Sequence, residues 1–349
     1  MTTPPLEFVF AARGVLPPGR AGDVVYVDGT ADGFRSLSHW PGNSTPAELK
    51  HDLSTGIALR WAGLSAARRD ELLGPFGVVT NNHYDTDGAL SLFAMLRPDA
   101  ALPRAEAMLR AAATGDFATW QGPGALAVEL TVSALVKHPA SPLGSALLAA
   151  PDARRWEAGY RWLLAELPSI LDEPFRYRHL WAEAHARTEA DVAAVEAGDG
   201  VDIARRPELD LAVVTTDRPL AAVALHHAAG ALYRVLLVRP GDDGFRYRFV
   251  YRDESWFEMV SVQPLARAPL APIVAELQAR EQRAGRPGVR ADGARWWHDD
   301  MEAPVCELGF GAPDREDGFH GERDLSGDPP SRLEPDQVLE VLAAGLSAV

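Results

Sequence analysis

The run Val78-Val79-Thr80-Asn81-Asn82-His83-Tyr84-Asp85-Thr86-Asp87-Gly88, continued by Ala89-Leu90-Ser91-Leu92-Phe93-Ala94-Met95-Leu96, decides the fold. Its opening is apolar and β-branched and predicts a buried strand. Its continuation has apolar residues at helical spacing and predicts the start of a helix. His83, Asp85 and Asp87 therefore fall where a strand hands over to a helix, the carboxyl end at which open α/β sheets bind ligands. The three alternate along the chain, so an extended turn points them the same way. Two close carboxylates repel unless a positive charge lies between them. Carboxylate oxygen with imidazole nitrogen suits Mn²⁺, Mg²⁺ or Zn²⁺. The same residues also fit a plain polar turn in which Asp87 caps the helix. Gly88 is expected to let the backbone turn tightly into that helix.

Upstream, LEFVFAA predicts a first strand, and GDVVYVDGT (22–30) predicts one that delivers Asp28 to its carboxyl end. Asp28-Gly29 also reads as a simple turn. A short strand, FRSLS, leads into the loop Ser38-His39-Trp40-Pro41-Gly42-Asn43, where His39 is either a ligand or a structural histidine. His51, Asp52 and Ser54 are expected to cap the helix GIALRWAGL. Downstream, a helix is expected from about Pro103 to Ala113 with Gly115 as its C-cap. Asp116 then either returns to the metal site or starts the next helix, GALAVELTVSALV.

Residues 154–174 predict an amphipathic helix broken at Pro168, and 179–198 a more polar one. Beyond Pro207 the texture changes: strands are expected at 209–216, 232–240, 245–253 and 256–264, and helices at 220–231 and 270–282. Residues 288–301 read as a loop rich in Trp, His and Asp, 313–335 as a mobile segment, and the chain closes on an amphipathic helix. The expected class is α/β. A mostly parallel N-terminal sheet flanked by helices spans 1–152, and a helical connector 153–206. A smaller C-terminal α+β domain on the substrate side spans 207–312, and the last segment 313–349.

Composition narrows the function classes. The 349 residues are enough for a substantial core, and 47% hydrophobic with 24% charged residues is ordinary for a globular protein. A net charge of −15 argues against an extended surface for nucleic-acid phosphates. It leaves room for a small phosphorylated substrate, because a site metal brings its own positive charge. The single cysteine, Cys306, can form no internal disulfide, which fits a reducing cytoplasm and excludes a Cys-rich zinc site. The N-terminus MTTPPLEFVF has no signal-peptide pattern, and no apolar run is long enough to span a bilayer.

With these residues laid out, the chain resembles the DHH phosphoesterase superfamily, two-domain enzymes with a metal site in an N-terminal α/β domain. His83-Tyr84-Asp85-Thr86-Asp87-Gly88 with Ala89-Leu90-Ser91 is similar to the first motif of that superfamily. Asp28 resembles its second motif, Asp116 its fourth, and Ser38-His39-Trp40-Pro41-Gly42-Asn43 a degenerate copy of its Asp-His-His motif. The order differs, since Asp28 and His39 precede the acidic motif, and Ser-His-Trp offers fewer ligands than Asp-His-His. In the C-terminal half, Ala294-Arg295-Trp296-Trp297-His298-Asp299-Asp300 stands where a Gly-Gly-Gly-His substrate loop is expected. The HWPGN and NNHYDTDG pair is also similar to that of an uncharacterised bacterial family.

The resemblance implies a metal-dependent hydrolase of a phosphoester or phosphoanhydride, with metal-activated water as nucleophile. Its ligands would be Asp28, His39, His83, Asp85, Asp87 and Asp116, with His39 and Asp87 also serving the reaction. Mn²⁺ is the leading ion, with Mg²⁺ and Zn²⁺ as alternatives. The substrate would be a small phosphorylated compound or short nucleotide, held by Arg252, Arg267, Arg295 and His298. No membrane partner is expected, and a homodimer is allowed. Two other classes stay open: a degenerate nucleotide- or metal-binding protein, and an enzyme of another class on the same scaffold.

Overall fold

The computed structural model describes residues 6–285, 294–311, 322–323, 325 and 327–347. The chain divides into two units. The first comprises Met1–Phe117, Gln121–Ala186 and Phe257–Val262, the second Ala118–Trp120, Arg187–Trp256 and Gln263–Val349.

In the first unit the strands are short: β1 (Glu7–Phe8), β2 (Val24–Val27), β3 (Arg35–Leu37) and, after helices α1 (Ser54–Ala62) and α2 (Ala66–Leu73), β4 (Val78–Thr80). They form a parallel sheet in the order β1-β4-β2-β3. Tyr26 pairs with Thr80 and Val27 with Leu37, so the residues just past β2, β3 and β4 emerge side by side at one edge. The helix after β4, α3 (Thr86–Leu96), is buried from Thr86 to Met95. From Gly88 onward its residues are small or apolar apart from Ser91, so it sits inside the unit rather than on its surface. Around it stand α1, α4 (Pro98–Ala101), α5 (Ala105–Phe117) and α6 (Pro123–Leu135), and, after α7 (Ser145–Leu148), α8 (Asp152–Asp172), on which α7 packs. The core joins Val25, Val27, Leu37 and Val79 of the sheet to Leu90, Phe93, Tyr160 and Leu163 of the helices.

Helix α8 runs unbroken to Asp172 with Pro168 inside it, where a break was expected. Tyr160, Leu163, Leu167 and Ile170 are fully buried on one face, and that packing holds the helix together past the proline. The expected connector 153–206 is therefore no separate element: α8 belongs to the first core, and α9 (Ala182–Ala197) begins in the first unit and continues in the second.

The second unit carries β5 (Val201–Arg206), β6 (Leu211–Thr216), β7 (Leu220–Ala221), α10 (Ala222–Ala229), β8 (Arg234–Gly241), β9 (Gly244–Tyr251), α11 (Leu270–Ala284), β10 (Arg295–His298), β11 (Cys306–Gly311), β12 (Glu322–Arg323) and α12 (Pro335–Leu346). Six strands form a mixed sheet, β10-β11-β9-β8-β6-β5, antiparallel except for the β6–β8 pair that α10 connects. The reading of 288–301 as a loop is corrected at β10, whose Trp296 and Trp297 are buried; 288–293 lie outside the described residues. Part of 313–335 also lies outside them. Of the rest, Glu322–Arg323 pair with β7, and Leu325, Ser331 and Leu333 are buried, which is packed structure rather than a loose tail. No helix among the described residues is long and apolar enough to cross a membrane.

Candidate metal centre

The carboxyl edge of the parallel sheet gathers the acidic and imidazole groups. Asp28 follows β2, is 1% exposed, and takes a left-handed backbone with φ 51°. Neither of its carboxylate oxygens receives a hydrogen bond. One faces His39 Nε2 at 3.7 Å and the other His83 Nε2 at 3.2 Å. His39 Nε2 also lies 3.7 Å from Asp87 Oδ2 and 3.2 Å from Asp116 Oδ2. His83 Nε2 lies 2.6 Å from Asp85 Oδ2. Two groups result, Asp28–His39–Asp87–Asp116 and Asp28–His83–Asp85, with ligand atoms in each within 4.8 Å of one another. Asp28 is common to both.

The two groups differ in access. All four members of the first are buried. In the second, the side chains of His83 and Asp85 are 24% and 33% exposed.

Local chemistry orients each ligand. His39 Nδ1 donates to the Asp52 carbonyl at 2.5 Å, which leaves the Nε2 lone pair aimed at three carboxylates. An acceptor ringed by acceptors is unfavourable unless a cation lies among them. Asp87 accepts from Ser54 N and Thr55 N, both at 2.8 Å. These are the first amides of α1, so a carboxylate from α3 fills the helix N-terminus that no side chain of its own caps. The expected capping role of His51, Asp52 and Ser54 is corrected accordingly. Ser54 Oγ instead accepts from His39 N, and Asp52 binds Val260 and Ser261.

Asp87 is not the cap of its own helix either. Asp85 is, its Oδ1 accepting from Gly88 N at 2.8 Å while Oδ2 faces His83. One Asp85 oxygen thus caps the helix while the other is left facing the imidazole, so the two roles the sequence offered as alternatives need not compete. Gly88 is needed for space rather than for a turn: a Cβ there would meet Tyr160 Oη at 2.6 Å and Asn81 Nδ2 at 2.8 Å. Gly115, expected as a C-cap, lies inside α5, where a Cβ would meet Glu129 Oε2 at 2.9 Å. The helix therefore runs on to Phe117 and carries Asp116 to the site.

The electrostatics follow from this crowding. Burial, reinforced by Asp85 and Asp87, pushes the Asp28 carboxyl up to about 6. Burial likewise pushes Asp87 up to about 6, against its hydrogen bonds from Thr55 and Ser54. Burial lowers the His39 imidazole, which favours its neutral, ligating form. Burial would lower His83 too, but Asp85 and Asp28 outweigh it and raise the imidazole to about 10. Such opposed perturbations in one cluster are typical of functional sites.

Several residues that hold the site were not singled out in the sequence. Asn81 donates to the carbonyls of Val27 and Asp28 at 2.9 and 3.0 Å and accepts from His83 N at 2.8 Å, so one side chain ties two strand ends together. Tyr160 donates to the His83 carbonyl at 2.8 Å. Asn81 stood inside the decisive run, and its short amide beside a strand end was the available signal; Tyr160 gave none.

Two of the expected phosphate ligands of the second unit are already engaged within the protein. Arg252 is 4% exposed and donates to the carbonyls of Gly230 and Leu232 and to Glu254. Arg267 donates to Ser255 and to the carbonyls of Met301, Ala303 and Pro304. Their guanidinium groups tie loops together, an engagement the sequence did not show. Arg295 is an exposed residue of β10, and His298 Nδ1 lies 2.6 Å from the Asp299 carbonyl.

A search of curated proteins finds no match to this chain. A family model does, over residues 15–348, a span that includes every ligand of both groups. The chain therefore belongs to DUF6687, a family of unknown function.

Proposed function

We propose that the chain is a metal-dependent hydrolase of a phosphoester or phosphoanhydride, similar in its chemistry to the DHH phosphoesterases. The observation that carries this reading is the shared Asp28, whose unbonded oxygens face two adjacent ligand groups. Oxygen and imidazole donors without thiolate favour Mn²⁺, with Mg²⁺ and Zn²⁺ as alternatives. Divalent ions in such a pair lower the pKa of water and draw charge from phosphoryl oxygens. In this reading the protein's own part is preorganisation. The Asp52 carbonyl fixes the His39 tautomer, the α1 amides fix Asp87, and Asn81 fixes the spacing of Asp28 and His83. The more exposed His83–Asp85 side is where a small phosphorylated substrate would enter. With one cysteine and no disulfide, we place this activity in the cytoplasm.

A non-catalytic reading has one observation in its favour, the complete burial of the His39 group, which suits a permanently held ion. The test is metal analysis of protein purified without chelator, followed by hydrolysis of bis(p-nitrophenyl) phosphate with added Mn²⁺. Turnover lost in Asp85→Ala and Asp87→Ala supports the hydrolase. Bound metal without turnover on any phosphate ester refutes it.

A further inference from the structure

The segment Phe257–Val262, expected from its sequence to be a strand, forms no ladder and is counted with the first unit. It lies along the loop that carries His39. The Phe257 ring stacks on the His39 imidazole with centroids 3.9 Å apart and planes 16° from parallel, and meets Phe117 edge-on at 5.8 Å. Glu258 N donates to the His39 carbonyl at 2.7 Å, and the Glu258 carboxylate pairs with Lys50 at 2.7 Å. Asp52 binds at both ends. Its carbonyl accepts from His39 Nδ1, while its carboxylate accepts from Val260 N at 2.6 Å, Ser261 N at 2.9 Å and the Ser261 hydroxyl.

Two of these contacts, the Phe257 ring and the Asp52 carbonyl, fall on the imidazole itself, and the others hold the segment beside it. We infer that Phe257 is the cover of the buried Asp28–His39–Asp87–Asp116 group, and that Asp52 is a positioning residue that couples this cover to the His39 ring. The inference rests on the reading of that group as a cation site. The stacked ring blocks water from one face of His39, and water must reach an ion before its ligands can be exchanged. Asp52 holds the covering segment and the imidazole with one residue, so loosening the segment also loosens the ligand.

The test follows Mn²⁺ release from the full-length protein. Protein loaded with Mn²⁺ and desalted is mixed with excess chelator, and free Mn²⁺ is recorded by electron paramagnetic resonance. Wild type is expected to release a fast fraction from the exposed group and a slow one from the buried group. Phe257→Ala and Asp52→Ala should speed the slow phase by about tenfold or more, the effect usual for lost support of a metal-ligating histidine. Phe257→Leu, which restores apolar bulk, and Asp52→Asn, which keeps an acceptor for the segment, should stay close to wild type. Slow release unchanged in both alanine variants overturns the cover. So does equal acceleration in the Leu and Asn variants, because then bulk and acceptor are not what slows exchange. A wild type that retains no Mn²⁺ overturns the cation reading itself, and that result is distinguishable because it appears before any variant is compared.

Discussion

Replacing Asp28 with Asn should make the metal-free protein more stable while abolishing any stabilisation by Mn²⁺. Asp28 is buried, its oxygens receive no hydrogen bond, and Asp85 and Asp87 crowd it. Its carboxyl stands at about 6 against an ordinary 3.8. At about 1.4 kcal/mol per tenfold change in proton affinity, keeping it ionised at pH 7.5 costs the empty fold about 3 kcal/mol. An amide of the same shape removes that charge. Its amide oxygen can still accept from the protonated His83 Nε2, 3.2 Å from one present oxygen, while its NH₂ faces the His39 Nε2 lone pair, 3.7 Å from the other. Asn also tolerates the left-handed backbone at φ 51° better than most residues.

For a unit of this size, about 3 kcal/mol corresponds to a rise of roughly 6–12 °C in melting temperature. The assay is thermal unfolding of wild type and Asp28→Asn in EDTA and in Mn²⁺ at pH 7.5. In EDTA the variant should melt higher. In Mn²⁺ the wild type should rise and the variant should not, since both ligand groups lose their common member. A variant that melts below wild type in EDTA would show that the carboxylate supports the fold, and the argument from ligand crowding would fail.

The same crowding sets a pH dependence. Asp28 and Asp87 bind protons more tightly folded than unfolded, so the chelated protein should lose stability as pH rises from about 4 to about 6. His83, raised to about 10, adds stability below about 6.5 that fades as pH climbs toward 10, in the same direction. His39, lowered by burial, opposes this below about 6.5, but the two carboxyls and His83 act together against it, so melting in EDTA should fall between pH 5 and 8, while Mn²⁺ stabilisation should grow over that range as protons cease to compete; a chelated protein that gains stability with pH contradicts this. Gly88→Ala should destabilise by about 1–3 kcal/mol despite the better helix propensity of Ala, because the methyl meets Tyr160 and Asn81; denaturant unfolding decides it. Arg252→Ala should cost about 3–5 kcal/mol by leaving Glu254 buried and unpaired, and a chemical denaturation midpoint unchanged from wild type would refute that role.

What the sequence made legible was whatever its neighbours along the chain determine. The strand-to-helix passage at 78–96 needs only local pattern; β2 likewise ends just before Asp28, where its apolar run stops, and β3 ends two residues before His39. Parallel pairing then does the rest, setting Tyr26 beside Thr80 and Val27 beside Leu37 so that three strand ends meet. The division of labour between Asp85 and Asp87 was not legible, since both are acidic residues near a helix start. What separates them is α1, a helix 32 residues earlier in the chain, whose free amides claim Asp87. Gly88 and Gly115 misled for the same reason: glycine suggests a turn locally, whereas here it makes room for Tyr160 and Glu129 from other helices. Phe257 misled most, because a β-rich run says nothing about which distant loop its backbone will bond. The clustered acidic and imidazole residues could be named from local pattern, but their supports come from segments far away in sequence. An imidazole becomes a dependable ligand only through such supports, so the residues hardest to read from the chain are the ones that should govern how firmly the site would hold an ion.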